Sequence, residues 1–235
     1  MLTDWTSRDA GRWNSEVAVM AVGSFEQHGG HLPLVTDTVV AEVIAQRLAE
    51  RYGLFRLPPV TMSCSHEHEG YPGTVSLSAS TVIAIIRDVR ASLAEVHTNT
   101  RLVLVNGHGG NYVLSNIAQE ANLIGPSMAL FPGRRDVEVA REAAGMESTA
   151  SEDMHGGEWE TSILLHAYPE LVRPSYREAD YEAPERPYFH LTGMAGYSKT
   201  GIIGYPSKAT ADKGARALDS LTASFRGIHD LLVAD

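Results

Sequence analysis

Short apolar runs alternate with amphipathic stretches through the first half of the chain. "VAVMAV" at 17–22 is continuous in apolar residues and stops at Gly23, the mark of a strand buried on both faces. From Thr38 to about Tyr52, Val40, Ile44 and Leu48 recur every four residues, and Gly53 follows as a stop signal for that helix. "RLPPVTM" at 56–62 reads as a weak strand with its prolines near the start. A loop rich in Gly, Pro and His runs from Ser63 to Thr74. Ser80 is placed to cap the next helix, which carries Val82, Ile85, Ile86, Val89, Leu93 and Val96 on one stripe. "RLVLVN" at 101–106 is the second clear strand, broken abruptly by "GHGGN". A helix from about Tyr112 to Asn122 then returns the chain to "SMALF", a fourth strand.

Strands alternating with helices in this way give a mostly parallel sheet covered on both faces, a three-layer α/β/α architecture. Its ligands are expected at the carboxyl ends of the strands. The second half is less regular. Residues 134–153 are acidic and alanine-rich, a surface helix or a lid, and "HGGEWETSILLHAYPE" starts as a loop and becomes a helix near Trp159. The stretch 170–208 is rich in proline and glycine, and a loop of that length is more often functional or intersubunit than idle. The last element, 210–232, places Leu218, Leu221, Phe225, Ile228 and Leu232 at helical spacing. No repeat or linker interrupts the pattern, so residues 1–235 read as a single domain.

Composition removes several function classes. The formal net charge is -10, with 29 acidic against 19 basic residues and no run of Lys and Arg, which disfavours nucleic acid and anionic membrane as partners. Cys64 is the only cysteine, so a disulfide framework is excluded within the chain and a reducing compartment is expected. The start of the chain resembles no signal peptide, and no stretch approaches eighteen apolar residues; the expectation is a cytoplasmic protein.

The chemistry concentrates in "GSFEQHGGHLPLVTDT" at 23–38. Glu26 and His28, two apart beyond the first strand, project to one side of an extended chain. Asp37 stands just before the first long helix, placed to cap it and to offer an oxygen to a site. His108 follows the "RLVLVN" strand directly, and a parallel sheet brings these four together. Mixed carboxylate and imidazole donors suit zinc, manganese or iron, and Asp37 is the carboxylate best placed to bridge two ions. In "HGGEWET", Glu160 supplies a further donor and His155 is a candidate proton shuttle, with Glu158 and Trp159 between them. Glu152 and Asp153 are placed to orient His155. "SCSHEHEGYPGTVSL" brings His66 and His68, with Glu67 and Glu69, to the same rim as candidate pocket residues. No helical H-E-x-x-H is present, and "GHGGN" lacks the Lys and Ser or Thr of a phosphate cradle. His97, His166, His190 and His229 show no partner in the sequence and read as structural or exposed. Other readings stay open here: a metal-stabilised binding protein without turnover, and a metal-dependent isomerase or phosphatase.

"GSFEQHGGHLPLVTDT", "NGHGGN" and "HGGEWETS", with "GTVSL" and "GIIGYPSKATADKG", resemble in order the signatures of the creatininase (creatinine amidohydrolase) family, over roughly residues 16–225. The resemblance implies an α/β hydrolase with two divalent ions per subunit, cleaving a cyclic or linear amide C–N bond with a metal-activated water, often as a hexamer. Carried onto this chain, it implies metal ligands at Glu26, His28, Asp37 and His108, with Glu160 completing the shell. His155 matches the proton-transfer histidine and Glu158 joins it as a catalytic candidate. His66, His68, Asn111 and Trp159 are expected to bind substrate. Creatininases carry a ligating glutamate two residues after the strand-end histidine, where this chain has Gly110. The "NGHGGN" form is instead similar to the branch of formamide-hydrolysing deformylases and the mycofactocin precursor peptidase, so the expected substrate is a cyclic amide or formamide of a small molecule, cleaved at a C–N bond other than an ordinary peptide bond, with a modified precursor peptide as the alternative.

Overall fold

A computed structural model describes residues 5–13, 16–96 and 100–234 of the chain, with the side chain of Val96 excepted. His97 lies outside them, as do the first four residues. After a short helix α1 (Ser7–Ala10), the elements run β1 (Val17–Val22), α2 (Thr36–Tyr52), β2 (Phe55–Arg56), α3 (Ala79–Val96), β3 (Arg101–Asn106), α4 (Val113–Ala121) and β4 (Met128–Phe131). Helices α5 (Arg134–Ala144), α6 (Glu158–Ala167), α7 (Phe189–Thr192), α8 (Ala211–Ser224) and α9 (Arg226–Val233) follow.

The four strands form one parallel sheet in the order β2-β1-β3-β4, with Val17 opposite Arg101 and Val22 opposite Asn106 in the central pair. Side chains alternate across a strand, so each central strand feeds two cores. Val17, Val19, Ala21, Val103 and Val105 pack with α2, α6 and α8 on one face. Ala18, Met20, Val22, Leu102 and Leu104 pack with α3 and α4 on the other. This explains the unbroken apolar run of β1, whose six residues are all buried. The chain winds outward from β1 to β2 on one side and from β3 to β4 on the other. The switch in winding therefore falls between the carboxyl ends of β1 and β3.

Several boundaries differ from the sequence pattern. The strand expected at 56–62 shrinks to Phe55–Arg56 plus single bonds from Leu57 to Val19 and from Val60 to Ala21, because Pro58 and Pro59 have no N–H to donate. Helix α3 starts earlier than Ser80, and it is Ser78 whose hydroxyl accepts from the Thr81 amide. Asp37 sits inside the first turn of α2 rather than capping it; the capping position is Val35, which makes no side-chain bond. The 134–153 stretch is no lid over a site, since α5 buries Ala140 and Ala144 in the molecule. The closing helix is two, α8 and α9, joined at Phe225, whose ring meets Phe131 and Tyr52 edge-on at 5.2 Å. Among the described residues no helix is long and apolar enough to cross a membrane.

Candidate metal centre

The turn after β1 delivers Glu26 and His28, the turn after β3 delivers His108, and the first turn of α2 delivers Asp37. Glu160 comes from the first turn of α6 and His155 from the loop before it. All of these except Glu160 are buried, and Glu160 is nearly so. Three sets of ligand atoms converge within 4.8 Å: Glu26, Asp37 and His108; His28, Asp37 and Glu160; and Glu26, His28 and His155. Asp37 is common to the first two, each of its oxygens facing a different imidazole: Oδ1 lies 3.0 Å from His28 Nε2 and Oδ2 lies 3.0 Å from His108 Nδ1. Ser24 also donates its hydroxyl to Oδ2 at 2.6 Å.

The backbone fixes which nitrogen of each ring faces the carboxylates. His28 Nδ1 lies 3.1 Å from the Glu26 carbonyl, His108 Nε2 lies 2.8 Å from the Cys64 carbonyl, and His155 Nε2 lies 2.7 Å from the Gln27 carbonyl. A carbonyl only accepts, so each of these nitrogens is an N–H and the opposite nitrogen carries the lone pair in the neutral ring. For His28 and His108 that lone pair points at Asp37, an acceptor facing an acceptor. A shared cation resolves the conflict, and metal-binding histidines commonly donate their other N–H to a carbonyl in this way. The glutamine beside them settles a fourth ring. Gln27 accepts from the Gly29 amide and donates to the Gly201 carbonyl, so its remaining N–H goes to His68 Nδ1 at 2.9 Å. His68 Nε2 is then the protonated nitrogen, 3.2 Å from Glu26 Oε1.

Glu26 is the clearest sign of a cation. It is fully buried, and neither carboxylate oxygen has a hydrogen-bond partner. A buried carboxylate without a hydrogen bond costs several kcal/mol or more, and here only the rings of His68 and His108, each 3.2 Å from one oxygen, offset that cost. The protonation of its neighbours tells the same story. Burial by itself would lower His28, but Asp37, with Glu160 and Glu26, outweighs it and the ring is pushed up to about 9. His108 is likewise opposed by burial yet held well above its ordinary value by Glu26 and Asp37. Against its own burial, Asp37 is held well below the carboxylate range by these two rings. Burial, aided by Asp37, raises Glu160 to about 8. Burial and the adjacent His28 and His68 push His155 well down, so that ring is neutral. Protons on His28 and His108 occupy the place a divalent cation would take from them.

Other expected site residues lie elsewhere or act otherwise. Glu158 turns away from the centre: its carboxylate takes the Lys213 ammonium at 2.6 Å, the Ser148 hydroxyl at 2.5 Å and the amides of Glu147 and Ser148. With every lone pair engaged, it has no capacity for proton transfer at His155. Asp153 does not orient His155 either; it caps α6 through the amides of Glu158 and Trp159 and pairs with Arg141. Glu152 is exposed and closes a turn with Thr149. Asn111 is buried between the Gly23 carbonyl, Asn106 and the Cys64 amide, a tie between strand-end turns rather than a substrate contact. The ring of Trp159 packs on the core beneath Arg141. His68, expected on the pocket wall, is buried inside the centre. Of the expected substrate contacts only His66 lines the neighbouring cavity of about 710 Å³, where it pairs with Glu69 at 2.8 Å. Among the remaining histidines, His166 accepts from Arg47, His190 meets the Tyr112 ring and His229 the Tyr52 ring.

One contributor has no role assigned from sequence. His31, buried, reaches the Gly156 carbonyl at 2.9 Å and so braces the loop between His155 and Glu160. Gly156 adopts φ +64°, a conformation that favours glycine, and its amide donates to Glu160 at 2.6 Å. Glu67, expected on the pocket rim, lines that cavity and also reaches the centre, its Oε1 3.4 Å from His108 Nε2.

The model of the creatininase family, described as creatinine amidohydrolase, matches residues 3–228. The mycofactocin precursor peptide peptidase of Mycolicibacterium smegmatis is 35% identical over 210 residues, 85% of this chain and 78% of its own length. The creatinine amidohydrolase of Pseudomonas putida is 29% identical over 175 residues, 66% of each chain. A solved structure titled "Creatininase Mn" aligns over 97% of this chain and 95% of its own with a TM-score of 0.79; at 24% identity the likeness is one of fold. A family match of this extent, joined to convergent ligand sets at the strand ends, settles the class: the chain belongs to the creatininase family of metal-dependent C–N hydrolases.

Proposed function

We propose that this protein hydrolyses an amide C–N bond at a centre of two divalent cations, zinc, manganese or iron. One would be held by Glu26, Asp37 and His108, the other by His28, Asp37 and Glu160, with Asp37 between them. The observation that carries the reading is Glu26, buried with both oxygens unpartnered amid imidazoles whose free nitrogens face carboxylates. Bound divalent ions supply Lewis acidity, lowering the pKa of water and neutralising charge that develops on a carbonyl oxygen.

The chain's own residues do the rest. His155 keeps its Nε2 proton on the Gln27 carbonyl, and its free Nδ1 stands 3.7 Å from Glu26 Oε1, facing the centre. Neutral because it is buried, it accepts a proton at Nδ1 and passes it to the departing nitrogen. His68 holds its Nε2 proton beside Glu26 and stays out of the donor set. The turn braced by His31 and Gly156 joins His155 to Glu160, both of which lie close to His28.

Two substrate classes are compatible with this chemistry, a small cyclic amide or formamide and a short modified peptide. The peptide is favoured by the longer and higher identity to a precursor-peptide peptidase, and by a cavity of about 710 Å³ whose wall includes Glu67, in contact with His108. We also infer one metallohydrolase domain working as a homo-oligomer, a hexamer by family precedent, in a reducing cytoplasm suited to the free Cys64. The test is an assay of metal-loaded protein against creatinine, an N-formyl amine and a panel of short peptides. Release of an amine from any of these, abolished by chelation and restored by metal, is expected. Loaded protein inert toward all three classes would contradict the hydrolase reading, and turnover of creatinine alone would contradict the preference for peptide.

A further inference from the structure

Gly110 stands two residues beyond His108, and a Cβ built on it would fall on the carboxylate of Glu67 and on the His108 ring. Its backbone has no need of glycine on conformational grounds, since it is not among the residues of positive φ. What glycine provides at this position is space, and the space is filled by a carboxylate from another segment. Glu67 lies in the single turn His66–His68, between the exposed His66 and the buried His68. Its Oε1 is 3.4 Å from His108 Nε2, the same nitrogen that donates to the Cys64 carbonyl. Glu67 is mostly buried, and its backbone is pressed from outside by Gly193, where any side chain would strike the Glu67 carbonyl. The long 170–208 segment thus backs the turn that presents this acid.

We propose that Glu67 is a positioning residue of the metal centre, a carboxylate that backs His108 from the side opposite Asp37 in the room left by Gly110. The inference rests on the dinuclear reading above. His108 has its Nδ1 toward Asp37 and its Nε2 toward the Cys64 carbonyl, with Glu26 at 3.2 Å and Glu67 at 3.4 Å from that same nitrogen, so the ring is held at both ends. The carbonyl fixes the orientation of the ring. The carboxylate adds negative charge beside the N–H, which makes the opposite nitrogen a stronger donor to a cation. A carboxylate carried at 110 and a carboxylate carried at 67 exclude each other by volume, so the acid at this edge of the centre comes from the 66–68 turn. The neighbouring Glu69 serves as a built-in control, because it is exposed and engaged with His66.

The test is competition of a chromophoric chelator for zinc with the full-length protein, resolving two binding steps. The wild type is expected to bind two zinc ions. Glu67→Gln is expected to weaken one step by about 10- to 100-fold and leave the other unchanged. Glu69→Gln should match the wild type at both steps, and the melting temperature of metal-free Glu67→Gln should match that of the metal-free wild type. Glu67→Asp, still charged but shorter, is the variant for the case in which Glu67→Gln does not fold: it loses part of the affinity at one step under the proposal and none otherwise. Gly110→Ala reaches the same contact from the other side and should weaken the same step. Wild-type affinity in Glu67→Gln, or equal loss at both steps, overturns the proposal while leaving the metal centre standing. A wild type that binds no zinc removes the centre and the proposal together.

Discussion

Glu26 and Glu158 both expose none of their surface, and they lie at the two ends of the same question. Around Glu158, at the junction of α5, α6 and α8, the chain supplies its own cation: Lys213 at 2.6 Å, with two amides and a hydroxyl completing the shell. Around Glu26, at the ends of β1 and β3, the chain supplies imidazoles at 3.2 Å but no hydrogen bond, and two further carboxylates nearby. One region is closed by its own lysine, and the other balances its carboxylates by holding protons on His28 and His108, in the place a divalent cation would take. The difference sets the two acids apart by what neutralises them, which neither burial nor position in a motif does.

Removing the shared ligand should break the comparison most severely. Asp37→Ala takes a donor from both ion sites, so bound metal should fall well below two ions per chain by elemental analysis. Turnover should fall by on the order of 10³-fold or more, the scale of losing several kcal/mol of charge stabilisation. Next is His155→Ala, which should keep both ions and lose roughly 10²-fold or more in kcat, since general acid–base catalysis is worth about that much. Near-normal turnover in that variant would remove His155 from proton transfer.

The Glu158 region should respond in stability rather than in metal content. Lys213→Met leaves a buried carboxylate without its cation and should cost about 3 kcal/mol, the low end for a broken buried pair because the ammonium keeps some contact with water. Chemical denaturation measures this, and the metal content per folded chain should not change. Glu158→Gln in the same background should recover part of the loss. If Lys213→Met lost metal as readily as Asp37→Ala, the two regions would not be separate.

A smaller effect concerns pH. In metal-free protein His28 is raised to about 9 and Glu160 to about 8, both above their unfolded values, so both bind protons more tightly in the folded state. Their contribution from protonation is greatest at low pH. That of His28 is complete below about pH 6.5, the ordinary histidine value, and is lost as pH rises through about 9. Glu160 adds a loss that grows up to about pH 8. The melting temperature of chelated protein should therefore fall between pH 6.5 and 9, while the loaded protein, in which cations replace those protons, should stay flatter. Smallest of all, His66→Ala removes an exposed pair with Glu69 and should shift stability by no more than about 0.5 kcal/mol.

Much of this was legible in the sequence because it depends on short-range pattern. The apolar runs of β1 and β3 and the glycines that end them place Glu26, His28 and His108 at adjacent strand ends, and the parallel sheet brings them together. Packing decided what the pattern could not. Glu158 and Glu160 are two residues apart in one helical turn, yet they point to different neighbours, because Lys213 lies on one side of α6 and His28 on the other. Nothing local in "HGGEWET" marks that division, since Lys213 is 55 residues away in sequence. His68 reads as a pocket residue from its loop, yet in the fold it is buried beside Glu26, and its tautomer is set by Gln27, whose amide is held by Gly201 far along the chain. Gly110 read as a missing ligand, whereas in the fold it is the space into which Glu67 reaches.

The most direct measurement is elemental analysis of the protein produced with ample zinc, manganese and iron and freed of loose metal by gel filtration. The account predicts two divalent ions per chain in the wild type and fewer than two in Glu26→Ala. A wild type free of bound metal, with Glu26→Ala folding more stably than it, would mean that the buried carboxylate is simply left uncompensated, and the account would fail.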